Sequence, residues 1–136
     1  MDKQEQPKPR VTKMDWMEPD ELKELEHVAA IRAHIIAKGG LLDPADNIKA
    51  LNFMAHYYAR NTERLGKYEA MQRELFADLL ERNDGMAIGK AEAVSKGSEF
   101  GKCRVFYEQL CAGYLEMINA FKKTQDYWEE HAKNNM

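Results

Sequence analysis

Between Phe100 and Trp128 the chain holds one pattern without a fault. Phe100, Cys103, Tyr107, Leu110, Tyr114, Met117, Phe121, Thr124 and Trp128 follow one another at alternating steps of three and four. An α-helix turns once every 3.6 residues, so steps averaging 3.5 keep one stripe facing a partner helix in a left-handed supercoil. A strand would need alternation by two. No proline interrupts residues 86–132. The C-terminal part of the chain is thus committed to a helix that needs a long second helix to lie against.

A suitable partner precedes it. Asp43 fits an N-cap, Pro44 the first helical position, and Asp46 the third, where an acid can reach back to free N–H groups. Ile48, Leu51, Ala55, Tyr58, Leu65, Tyr68, Met71, Leu75 and Leu79 then recur mostly by three, four or seven. The spacing predicts a helix over 44–82, and Asn83-Asp84-Gly85 predicts a turn after it. Upstream, Pro19, Asp20 and Glu21 mark another helix start. Leu22, Leu25, Val28, Ala29, Ile31, Ile35 and Ile36 give it an apolar face, and Gly39-Gly40 ends it, which predicts a helix over 19–38.

The expected fold is all-α: a long, coiled-coil-like antiparallel hairpin of 44–82 with 86–132, plus the additional N-terminal helix. Residues 18–136 read as a single helical domain. Residues 1–17, with Pro7, Pro9 and few side chains to bury, read as a flexible N-terminal tail. At its end Met14, Trp16 and Met17 form an apolar knot, which either folds back onto the domain or docks into a partner protein.

Length sharpens this expectation. Helices over 44–82 and 86–132 would span about 58 Å and about 70 Å, whereas a compact chain of this size has a radius of gyration near ~14 Å. Either Gly66 and the 95–101 region break the helices, or the hairpin is long and the first helix packs alongside. Phe53, Tyr57, Phe76, Val105, Phe106, Cys111, Leu115 and Ile118 fall off the main stripes and need a further surface. The first helix covers some of them, and a second copy of the chain would cover the rest, so self-association is expected, most simply as a dimer. Gly89, Ala93, Gly97 and Gly101 lie four apart. On a continuous helix they would form a ridge that lets another helix approach closely; alternatively the glycines weaken the helix until it breaks. Close packing, and with it a self-association role for these four residues, is the reading adopted.

Chemistry is sparse. Glu24 and His27 form an E-x-x-H pair, but metal-binding bundles use two such pairs with further inward acids, and only one stands here. The pairs Glu21/Glu24 and Glu81/Asp84 lie far apart, with the second falling in a turn. Neither G-x-x-x-x-G-K-[ST] nor G-x-G-x-x-G occurs, and the glycines of 89–101 keep helical rather than loop spacing. Cys103 sits on the stripe as a small hydrophobe, with no histidine near it in sequence. Cys103 and Cys111 are eight residues apart, about 12 Å along a helix, too far for a disulfide. These observations predict no enzyme, no cofactor and no metal.

A net charge of −3 argues against a dedicated nucleic-acid binder, which shows a cationic face. The most basic stretch, 86–124, holds six bases against four acids. Lys90, Lys96, Lys102 and Arg104 are its candidate nucleic-acid contacts, with Lys122 and Lys123 beyond them. A solvated helix face is the plainer account. No run approaches the ~20 apolar residues of a membrane span, and no signal-peptide pattern opens the chain, so an intracellular protein is expected.

The stretch Lys90-Ala91-Glu92-Ala93-Val94-Ser95-Lys96-Gly97-Ser98, then Lys102, Arg104, Tyr107 and the run from Leu115 to Lys123, resembles small all-helical accessory proteins of bacteriophages and prophages. Those proteins have no assigned activity and are often encoded near replication or recombination functions. Gly97 and Gly101 depart from that group, which more often carries alanine or an aromatic there. The resemblance implies a helical accessory protein in the cytoplasm of a bacterial or phage-infected cell, and it transfers no catalytic residue. The expected function is non-enzymatic interaction with a partner protein; the alternative is accessory nucleic-acid binding in phage replication or recombination.

Overall fold

The computed structural model describes residue 14, residues 16–82 and residues 87–135. These form four helices and, among the described residues, no strand: α1 (Pro19–Ala37), α2 (Pro44–Arg82), α3 (Ile88–Gly97) and α4 (Glu99–Asn134). The fold is all-α, with α2 and α4 as the arms of an antiparallel hairpin. Most of the tail 1–17 and the turn expected at 83–85 lie outside the described residues. No helix among those described is long and apolar enough to cross a membrane.

Local chemistry sets the helix ends. Pro19 opens α1 with Asp20 and Glu21 in its first turn, where the positive end of the helix dipole favours acids. At the other end Gly39 and Gly40 adopt φ of 71° and 92°. This left-handed path lets the Gly40 N–H reach the Ile35 carbonyl at 2.9 Å and the Gly39 N–H the Ile36 carbonyl at 3.0 Å, satisfying two end carbonyls. Asp43 Oδ1 accepts the Asp46 N–H at 2.9 Å, so the cap read from the sequence is the cap that forms. α2 then runs unbroken past Gly66 to Arg82.

The third segment is not one helix. α3 ends at Gly97, Ser98 takes an extended conformation (φ −69°, ψ 166°), and α4 begins at Glu99. Ser98 is the reason the second helix restarts at once. Its Oγ accepts the Gly101 N–H at 3.2 Å, the N-cap bond to the third helical residue, and its carbonyl accepts the Lys102 N–H at 3.0 Å. Of the two forms left open for 86–132, continuous or broken in the 95–101 region, the chain takes the broken one, as two helices meeting at Ser98.

The chain groups into two compact units. The first comprises residues up to Leu51 together with Phe121 onward. In it Trp128 Nε1 donates to the Leu42 carbonyl at 2.8 Å, and Asn47 Nδ2 donates to the Phe121 carbonyl at 2.9 Å. Partners rise on one helix as they fall on the other, so these segments are antiparallel. His34 Nε2 meets Asp46 Oδ2 at 3.2 Å, tying the end of α1 to the start of α2. Met17, Val28, Leu42 and Phe121 are buried here.

The second unit, Asn52–Ala120, repeats the antiparallel pairing. Tyr68 stacks on Tyr107 with centroids 5.4 Å apart and planes within 10°, and Arg104 Nε donates to Gln72 Oε1 at 2.6 Å. Met54, Cys103, Tyr107, Cys111, Tyr114 and Ile118 are buried, along with Ala91 and Ser95 of α3. Neither cysteine is in a disulfide.

All nine positions of the 100–128 stripe are buried or half-buried. The α2 stripe needs correction in its N-terminal half. Ile48 is 45% exposed and Ala55 is exposed, whereas Asn47, Met54 and Asn61 are buried. Positions 47, 51, 54, 58, 61, 65, 68, 72, 75 and 79, all buried or half-buried, follow an unbroken alternation of four and three, with Ala50 also buried. Two asparagines occupy it because each amide N–H finds an acceptor inside, although the buried Asn47 Oδ1 has no hydrogen-bond partner among the described residues. Asn47 bonds to the Phe121 carbonyl, and Asn61 donates to the Tyr57 carbonyl at 2.7 Å while accepting from Arg64 Nη1 at 3.0 Å.

Candidate functional site

Burial decides first what the aromatic stripe does. Tyr107 and Tyr114 are each 1% exposed and Phe121 is 4% exposed, so these rings fill space between helices and face no cleft. The E-x-x-H pair of α1 is split by its environment: Glu24 is buried and His27 half-buried. Among the described residues no group of three or more His, Cys, Asp or Glu is placed to hold a metal ion.

The apolar knot folds back. The Met17 N–H donates to the Met14 carbonyl at 3.0 Å, turning the chain, and Met17 is 6% exposed with Met14 and Trp16 half-buried. Of the three residues expected to bind a partner, Met17 is thus enclosed by its own chain.

The small-residue ridge does not survive the break at Ser98. Residues four apart share a stripe only within one helix, and Gly101 belongs to α4 while Gly89, Ala93 and Gly97 belong to α3. Space around the members differs as well. A Cβ on Gly89 or Gly97 would meet nothing within 4 Å, whereas one on Gly101 would lie 2.6 Å from the Ser95 carbonyl oxygen and closer still to that of Lys96. Close approach is confined to Gly101, and what approaches is the last turn of α3 rather than another copy.

The four candidate cations also divide. Lys90 and Lys102 are exposed and stand apart, but Lys96 and Arg104 line a groove of about 300 Å³ within the second unit. From α2 the groove takes Glu69, Gln72, Arg73 and Phe76; from α3 it takes Glu92, Ser95 and Lys96; from α4 it takes Arg104. Arg104 is held in place twice, by Gln72 and through Nη1 by Glu108 Oε2 at 2.8 Å. Ser95 Oγ donates to the Glu92 carbonyl at 2.9 Å and is not aimed at a ligand.

Sequence reasoning missed the α2 side of this groove. Arg73 and Phe76 are four and seven residues from Glu69, so helical spacing alone places all three on one face. What concealed the groove was α3, whose packing beside α2 depends on the break at Ser98. No known family model matches this chain, and neither a curated protein nor a solved structure is similar to it.

Proposed function

We propose that this chain is a non-enzymatic interaction protein that assembles through helix faces, with a second copy of itself as first partner. It would work as a phage-type accessory protein in the cytoplasm of a bacterial or infected cell. One observation carries the reading. In the second unit the aromatic stripe is sealed, yet Phe53, Val105 and Leu115 remain exposed on α2 and α4. Water-facing apolar side chains on a helix pair are what a helix–helix contact buries.

Light scattering across a wide concentration range tests the proposal. The wild-type chain is expected to exceed monomer mass, and Val105→Glu with Leu115→Glu to return it to monomer without loss of helicity. A strict monomer at every concentration refutes it.

A second reading, the nucleic-acid alternative, rests on the exposed Lys90, Lys96 and Lys102. A gel shift with single-stranded DNA or RNA that fades as salt rises would support it; no shift at low salt removes it.

A further inference from the structure

We infer that the groove bounded by α2, α3 and α4 binds a small organic anion, a single phosphate or carboxylate attached to an apolar ring. This inference does not depend on self-association.

The cations come from three different helices: Arg73 from α2, Lys96 from α3 and Arg104 from α4. Arg104 is the fixed element. Its Nε is engaged by Gln72 and its Nη1 by Glu108, which sets the plane of a half-buried guanidinium on the groove wall. A guanidinium already held in one orientation loses little freedom on taking up an anion. Among the described residues Arg73 and Lys96 make no ion pair, so both can turn toward the same ligand. Phe76 adds a half-buried apolar wall, and the volume falls at the small end of ligand pockets.

The two carboxylates decide the class of ligand. Glu69 and Glu92 share the groove with the three cations. With Glu108 on Arg104 the acids number three against three cations, so Arg73 and Lys96, which make no ion pair among the described residues, offer charge for at most one anionic group. A nucleic-acid backbone, with a phosphate at every step, would have to run past both acids and be repelled. A ligand with one anionic end and an apolar body escapes that penalty, and any N–H or O–H it carries finds acceptors in Glu69 and Glu92.

Phenyl phosphate, benzoate and inorganic phosphate are the probes, followed by backbone amide NMR of the full chain at low salt. Phenyl phosphate or benzoate should give saturable shifts confined to residues 69–76 and 92–104, the stronger of the two naming the anion. Inorganic phosphate should bind about tenfold more weakly, because it cannot use the Phe76 wall. Lys96→Gln, an exposed change that leaves the fold intact, should weaken binding about 2- to 5-fold, and Lys90→Gln should leave it unchanged. Unlocalised shifts, equal binding of inorganic and phenyl phosphate, or equal effects of the two lysine variants would overturn the inference. So would binding of an oligonucleotide through this groove with none of phenyl phosphate or benzoate.

Discussion

Replacing Gly101 by alanine should destabilise the protein although it replaces the poorer helix former by the best one. An added methyl would lie 2.6 Å from the Ser95 carbonyl oxygen and 2.7 Å from the Lys96 carbonyl carbon. Both are main-chain atoms, and the Ser95 carbonyl also accepts the Ser98 N–H at 3.3 Å. None can rotate aside as a side chain would, so α3 or the first turn of α4 must move by several tenths of an ångström. Overpacking of this kind costs about 1–3 kcal/mol, and contact with backbone on one side places it at the upper end. The alanine gains about 1 kcal/mol of helix propensity, leaving a net loss of about 2 kcal/mol. Gly66→Ala is the matched control, because Gly66 lies within α2 and a Cβ there meets nothing within 4 Å. It should gain about 1 kcal/mol. Urea unfolding followed by far-UV circular dichroism would then separate the variants by about 3 kcal/mol, with the wild type between them. If Gly101→Ala matches or exceeds the wild type, the break at Ser98 is not held by this contact and the reasoning fails.

Three other substitutions, the last with its own control, probe the remaining supports. Ser98→Ala removes the N-cap of α4 and should cost about 1 kcal/mol, with amide exchange accelerating first at Gly101; unchanged exchange there would count against the cap. Asn47→Ala removes the bond to the Phe121 carbonyl and should cost about 1–3 kcal/mol in thermal or urea unfolding, whereas a loss below a few tenths would mean the buried amide adds nothing. Tyr107→Ala should cost about 3–5 kcal/mol through the emptied site and the lost stack on Tyr68, while Glu116→Ala, exposed on the same helix, should stay within ~0.5 kcal/mol; equal losses would contradict the assignment of inner and outer faces.

The parts of the fold that were legible in the sequence were those whose cause is local or periodic. The stripe from Phe100 to Trp128 was readable because apolar side chains alone mark it. The ends of α1 and the start of α2 were readable because Pro19, Gly39, Gly40, Asp43 and Pro44 each act through their own backbone. In α2 the reading slipped by one residue toward Ile48 and Ala55, since the inward positions 47 and 61 are asparagines. A polar side chain registers as outward until the carbonyl or guanidinium that satisfies it is known, and Phe121 is 74 residues from Asn47. Ser98 and Gly101 carry a capping signal three residues apart, but the four-residue rhythm of small residues overlies it and points to a continuous ridge instead. The groove depends on three helices converging after that break, so no local pattern announces more than its α2 wall.

The two buried thiols give the molecule an internal clock. Cys103 and Cys111 stand two turns apart on the inward side of α4, both within the second unit. A thiol reagent cannot reach either while the helix is docked, so its rate of consumption measures how often that stretch opens. If both sulfurs react at one rate, the stretch opens as a block. A faster Cys103 would mean that fraying starts from the serine-capped end.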